Sequence, residues 1–538
     1  MRNLSFLLFF IIVGISDLAY GQMPQRIADI NAGTGSSILD EHNVVIALNE
    51  KLIFTANDGI HGHEIWIYDG NEVSLLKDIY TGAGHSNAQN YFLINDRIIF
   101  TALDSAHGVE WWSTDGTPEG TQMVKDIFPG AAEGVYTGIN NGAYFHLFNG
   151  SVYFAGAHRS NDFELWKTDG TSGGTVLVKN ISPDGGTNFF PSFPEDYAEL
   201  NGTLFFSCRE GLWKTNGTTS GTVLVEDEDP EDVFGLEPED LVSNGQYVLF
   251  IQNSNLWRSD GTSAGTIKIQ DLGYVSLNWF GNRFTALGNM VLFPGNDSEH
   301  GDELWRTDGT TEGTSLVIDL DPGFSGYAPQ NNIAFKDKMY YKGDNGSSGI
   351  EFWSSDGTAA GTKLIKDIDP GSSSGFYLPT EIYTDGDHIY MSAGESFNKE
   401  LWVSDGTTAG TYEIEINPSG DSHPRKFYRY GDQLFFFAST DEFGSEPYLL
   451  DLMSTSIEDI SDKNPYAVYP NPTDGLIHIM PFNTDAVHSL LSLNGHVLIE
   501  KITAETIDLS PYPEGIYILK SSALNSGDIG YEKIVLVK

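Results

Sequence analysis

Apolar and polar positions alternate along this chain in short runs, and no stretch sustains the 3.6-residue period of a helix. Aromatic-rich runs such as Ile98-Ile99-Phe100, Val152-Tyr153-Phe154, Leu204-Phe205-Phe206, Val291-Leu292-Phe293 and Met339-Tyr340-Tyr341 read as strands. A second run ending near a tryptophan follows each, then an Asp-Gly-Thr or Asn-Gly-Thr turn, then a strand such as Leu364-Ile365-Lys366-Asp367-Ile368. Asp-Gly between apolar runs signals a hairpin, because the turn needs residues that accept positive φ. A Pro-Gly loop (Pro129-Gly130, Pro322-Gly323, Pro370-Gly371) leads to a weaker fourth strand.

This pattern repeats. The tryptophan recurs at Trp66, Trp112, Trp166, Trp213, Trp257, Trp305, Trp353 and Trp402, with Tyr448 as a degenerate ninth copy. Asp/Asn-Gly-Thr followed by Gly-Thr starts at Asp115, Asp169, Asn216, Asp260, Asp308, Asp356 and Asp405. Four short strands per unit of about 47 residues is the length of a propeller blade. The expected fold is all-β, a β-propeller of eight or nine four-stranded blades, with an open array of β-repeats as the alternative. Residues 26–30 match the third strand of a unit and residues 43–47 the fourth, while residues 434–437 and 447–450 supply only the first two. The two ends would then complete one blade together and protect sheet edges. With Glu303 to Thr314 reading ELWRTDGTTEGT, residues 24 to 455 resemble the ELWxxDGTxxGT repeat family of secreted bacterial proteins.

Charge narrows the partners. The 538 residues hold 29 basic and 75 acidic side chains, a formal net charge of −46. Such a surface repels nucleic acid and anionic lipid and favours divalent cations. At the N-terminus, Arg2, the apolar stretch Leu4 to Val13 and Ala19-Tyr20-Gly21 form a signal peptide over residues 1–21. No later apolar run is long enough for a transmembrane segment. Cys208 is the only cysteine, so no internal disulfide is possible, and its apolar strand marks it as a buried thiol.

Each repeated residue has a structural and a functional reading. The tryptophans are better read as wedges between blades than as a stacking platform for sugars. The turn aspartates are favoured turn formers before they are calcium ligands. Glu64, Glu110, Glu164, Glu303, Glu351 and Glu400 stand two residues before a tryptophan, and bonding to a neighbouring blade's backbone is preferred over a ring facing the channel. His61, His107 and His300 recur five residues before a tryptophan and read as turn formers. The sharpest departure is Glu226 to Asp240, EDEDPEDVFGLEPED, in which Asp227, Asp229, Glu231 and Asp232 are the candidate calcium ligands, though without EF-hand spacing. Asp319-Asp321 and Asp367-Asp369 are lesser candidates. HExxH, GxSxG, Walker and Cys/His metal signatures are missing, so catalytic and organic-cofactor residues are assigned to none.

After a polar linker, residues 454–466, the chain changes character. Tyr469-Pro470-Asn471-Pro472-Thr473-Asp474-Gly475, the Leu493-Asn494-Gly495 turn, Gly515-Ile516-Tyr517 and a basic end resemble the C-terminal type A sorting domain of the type IX secretion system over residues 467–538. The resemblance implies a small immunoglobulin-like β-sandwich, engagement of the secretion machinery, and delivery across the outer membrane to the extracellular space or cell surface. With residues 22–453 as the propeller, the reading is a surface binding or adhesion module for a polysaccharide or surface protein. The alternatives are a polysaccharide-active lyase or hydrolase with its site in the channel, and a calcium-dependent structural surface protein.

Overall fold

The computed structural model describes residues 24–38, 45–138, 144–159, 162–182, 192–226, 238–272, 284–297, 299–322, 327–376, 381–395, 398–452, 467–471, 473–480, 486–492, 497–502, 504–513, 515–523 and 529–537. The signal segment and the linker lie outside the described residues. Two compact units emerge, Gln25–Leu449 and one containing Leu450–Lys538.

The first unit holds nine four-stranded antiparallel sheets among the described residues, each with its strands in chain order except the ninth. Sheet one runs Ile46–Leu48, Lys51–Asn57, His63–Tyr68 and Val73–Lys77. The first strands of sheets two to nine are Gln89–Ile94, Phe145–Phe148, Glu195–Leu200, Glu239–Ser243, Thr285–Leu287, Gln330–Phe335, Ile382–Thr384 and Arg425–Tyr430. These first strands approach one another at most junctions between successive sheets and are termed the inner strands. The weak strand after each Pro-Gly loop therefore pairs forward with the next aromatic strand rather than back with its own unit, which shifts the expected blade by one strand. Its hydrogen-bonding partner lies across a tight turn, of two residues in sheet one (Leu48 to Lys51).

The same shift changes how the ends meet. The ninth sheet takes Arg425–Tyr430, Gln433–Ala438 and Glu446–Asp451 from the C-terminal side and only Gln25–Arg26 from the N-terminal side. Gln25 pairs with Leu449 and Arg26 with Tyr448. Of residues 43–47, the first two lie outside the described residues, and Ile46 and Ala47 belong to sheet one instead.

Each tryptophan pairs across the strands with a residue of the preceding apolar run, Phe54 with Trp66 and Phe293, the last of its run, with Trp305. It packs against the preceding sheet. Trp305, for example, joins Val291 and Phe293 to Leu249, Ile251, Leu256 and Ile269 of sheet five. The first sheet treats the ninth as its predecessor: Leu52, Phe54 and Trp66 cluster with Phe435, Phe437 and Leu449. Inner-strand tyrosines repeat the relation, with Arg429 N donating to Tyr383 Oη (3.1 Å) and Ala47 N donating to Tyr428 Oη (3.1 Å).

The turn motif is satisfied internally. Asp308 Oδ1 accepts from Thr310 N (2.8 Å) and Thr310 Oγ1 (2.7 Å), Thr310 Oγ1 accepts from Gly313 N (3.0 Å), and Thr314 Oγ1 donates to Thr310 O (2.7 Å). Gly309 is left-handed (φ 88°), and a Cβ there would fall 2.7 Å from Tyr247 Cδ2 of the preceding sheet. Gly309→Ala is therefore expected to cost about 1–3 kcal/mol in denaturant unfolding, from backbone strain alone before the clash is relieved.

In the second unit a three-stranded sheet (Ala467–Tyr469, Leu476–Met480, Thr506–Asp508) and a four-stranded sheet (Val497–Ile502, Ala486–Ser492, Gly515–Ala523, Ile529–Leu536) share one core. Alternation along Leu476–Met480 buries Ile477 and Ile479 against Leu490, Leu519 and Ile534.

Candidate functional site

The repeated glutamates are wholly buried, and none forms a ring open to a channel. Each caps the loop that follows its own sheet's last strand. Glu351 accepts from Ile368 N (2.6 Å), Asp369 N (3.4 Å) and Gly375 N (2.7 Å), and Glu64 from Ile79 N (2.8 Å), Tyr80 N (3.1 Å) and Ser86 N (3.1 Å). The expected bond to a neighbouring blade's backbone is thus found mainly within the glutamate's own unit. Glu446 of the ninth sheet reaches across the chain ends to Ile30 N (2.8 Å) and Asn31 N (3.2 Å).

Burial pushes the carboxyls of Glu64, Glu164, Glu303, Glu351, Glu400 and Glu446 up to about 7, and that of Glu110 to about 8, against the opposing pull of these N–H donors. The folded chain then binds more protons than the unfolded chain from the ordinary 4.5 up to these values. Stability is full below that window and falls as pH rises through it. Denaturant midpoints at pH 5 and pH 8 check this, and Glu→Gln at one position should flatten the slope.

The other motif residues are also structural. His61, His107 and His300 each direct Nδ1 at the aspartate three residues earlier, as in His300 Nδ1 to Asp297 Oδ2 at 2.8 Å, while that carboxylate also accepts His300 N (2.7 Å). Asn345 caps the same turn in sheet seven through Ser348 N (2.9 Å). Cys208 is buried in its strand. Asp227, Asp229, Glu231 and Asp232 lie outside the described residues. Among the described residues no group of three or more His, Cys, Asp or Glu side chains is placed to share a metal.

The inner strands carry a feature that the sequence reading missed. Asn90, Asp196, Asp240, Asn331 and Lys426 take φ of 57°, 47°, 56°, 51° and 58°, each at a register shift in the inner strand of its sheet. Left-handed backbone in non-glycine residues costs energy and concentrates where function re-aims side chains. Asp240 N donates to Asp196 Oδ2 (2.9 Å) and Lys426 N to Glu381 Oε2 (2.6 Å), so an acid of the preceding sheet holds the bulge. The signal was present as recurring polar pairs, Gln89-Asn90, Glu195-Asp196, Glu239-Asp240, Gln330-Asn331 and Arg425-Lys426.

Charge on the inner strands is uneven. Their carboxylates are confined to sheets four and five (Glu195, Asp196, Glu199, Glu239, Asp240) and their lysines and arginines to sheet nine (Arg425, Lys426, Arg429). His146 of sheet three meets Glu199 (Nε2 to Oε1, 3.0 Å). Arg429 is held by Asp385 (3.1 Å) and Asp387 (2.6 Å). Buried Lys342, opposite Gln330 at the bulge of sheet seven, has its amine pushed down to about 8 by burial and then by Lys399.

Residues 467–537 match the family model of the secretion system C-terminal sorting domain. The chain is thereby directed through type IX secretion to the cell surface or extracellular space. No helix among the described residues is long and apolar enough to cross a membrane. No curated protein matches the chain. Among solved structures it is similar to PorZ of Porphyromonas gingivalis, an essential surface component of the type-IX secretion system, at 12% identity and TM-score 0.35, covering 92% of this chain and 75% of that one. The extracellular domain of BT4673 from B. thetaiotaomicron gives 12% identity, TM-score 0.32 and coverage of 94% and 76%. AztD of Citrobacter koseri gives 12%, 0.32, and 66% and 86%. None of these likenesses bears on what this chain binds.

Proposed function

We propose that residues 25–449 form a closed nine-bladed β-propeller that serves, after export, as a surface binding module with its ligand at the axial end lined by the inner-strand bulges. The observation that carries the reading is the relation of the first sheet to the ninth, in which the contacts made between other neighbours are repeated between chain ends. In a ring of nine, sheets four and five lie across the axis from sheet nine, so the bulge carboxylates Glu195, Asp196, Glu239 and Asp240 stand across the opening from Arg425 and Lys426. A polar ligand, polysaccharide or protein, suits such a lining. The C-terminal unit, read as an immunoglobulin-like sandwich, supplies the export address.

The test is retention of the mature chain on a glycan array and on immobilised polysaccharides, with calcium and with chelator. Retention without shortening of the polymer, weakened by Lys426→Gln, supports the axial binding module. Release of reducing or unsaturated ends would instead mark an enzyme. Calcium-dependent self-association would mark a structural surface protein and bring Asp227, Asp229, Glu231 and Asp232 forward as ligands. No retention in any arm would overturn the carbohydrate reading and leave a protein ligand.

A further inference from the structure

We infer that His63 and His85 form an acid-opened latch, which fastens the start of the third strand of sheet one to the segment that enters sheet two. Their Nδ1 atoms lie 3.0 Å apart, and His85 Nδ1 also accepts the backbone N–H of His63 at 3.0 Å. Two ring nitrogens can bond at this distance only if one carries a hydrogen and the other is bare. The backbone N–H of His63 already points at His85 Nδ1, so that atom is the bare one and His63 Nδ1 is the donor. His85 therefore accepts twice through one lone pair, and a proton on that atom removes the acceptor of the His63 backbone N–H, sets N–H against N–H there, and keeps a ring-to-ring bond only if the His63 hydrogen moves to Nε2.

The latch is closely packed. His63 is 5% exposed. Its carbonyl accepts from Ser86 N (3.0 Å), Ser86 Oγ (3.0 Å) and Asn87 N (3.2 Å). A Cβ on Gly62 would fall 1.7 Å from Gly84 O, so the two backbones pass in contact. The ionisable groups on the segments that carry the pair or bond to them are Glu64 on the same strand, Asp58 and His61 in the adjoining hairpin, Asp78 and Tyr80 in the loop that follows the sheet, and Asp104 beyond Leu103, whose N–H bonds Ser86 O. Neither imidazole makes a further hydrogen bond among the described residues.

The repeats supply their own control. The corresponding backbone N–H is accepted by Ser374 Oγ in sheet seven (Ile350 N, 3.0 Å), by Asp421 Oδ1 in sheet eight (Lys399 N, 3.2 Å) and by Ser36 Oγ in sheet nine (Ser445 N, 3.1 Å). In these four sheets a side chain meets that N–H, and among the four only sheet one uses an imidazole. Burial, and then the adjacent His85, hold the His63 imidazole below its ordinary 6.5. The contribution of the His63 imidazole is therefore present above 6.5 and lost as pH falls, the reverse of the glutamates' trend.

Hydrogen exchange at the Ser86 and Asn87 amides, corrected for intrinsic rate, tests the latch in the full chain at pH 7.5 and 5.5. Protection should drop about tenfold or more on acidification, the change carried by one unit of pKa coupling. In His85→Ser, which copies the serine acceptor of sheet seven, protection should stay flat. His85→Asp, which retains the Asp421 type of acceptor, should stay flat as well and guards against a local collapse in the serine variant. An unchanged wild type, or the same acid loss in the His85→Asp variant, overturns the inference.

Discussion

Glu351→Ala is expected to lower the unfolding free energy by about 2–5 kcal/mol, because it strands the Ile368 and Asp369 N–H donors, which each cost about 1–3 kcal/mol when unpaired, while Gly375 N keeps the Ile350 carbonyl. Ile368, Asp369 and Gly375 all donate to that carboxylate, and no other side chain stands in for it among their hydrogen bonds. Glu351→Gln keeps an acceptor of the same length and should lose about 1 kcal/mol. Urea unfolding at pH 6 separates the two. If alanine and glutamine cost the same, the carboxylate does not act through these donors and the loop is held by packing instead.

Phe54→Ala should cost about 3–5 kcal/mol, the usual loss for a fully buried aromatic. Phe54 has no exposed surface and lies 5.3 Å from the ring of Phe435 and 5.8 Å from that of Phe437. Phe206, also fully buried, holds the same place between sheets four and three. In a closed ring the two substitutions carry equal weight, because the seam between chain ends is one interface among nine. In an open array Phe54 would sit on a free end and its replacement would be nearly silent. Comparing the denaturant midpoints of the two variants decides between these architectures.

What the sequence made legible follows from the range of the interactions involved. The Asp-Gly-Thr turn closes its hydrogen bonds within seven residues, so its logic is written in consecutive letters. The tryptophan wedge was readable because it recurs at one strand position and pairs with an aromatic on the strand before. The glutamates were visible as a repeat, yet their partners lie 15 to 24 residues downstream, and nothing local shows which backbone they cap. Blade phase was misplaced for a related reason. The weak strand carries too little apolar character to declare its partner, and a two-residue turn binds it forward. The inner-strand bulges were missed because polar pairs such as Glu239-Asp240 read as loop, whereas a left-handed residue turns them into strand.

The ninth sheet bears on how the chain reaches this fold. Eight sheets are built from consecutive segments, so each can form as soon as its own stretch is free. The ninth waits for partners such as Ile30 and Glu446, 416 positions apart. Loop-closure entropy for so long a separation exceeds that of a hairpin by about 3–4 kcal/mol. Joining the ends is thus expected to be the slow, late event, and a chain threaded through a membrane end-first cannot complete its ninth sheet until both ends stand on the same side.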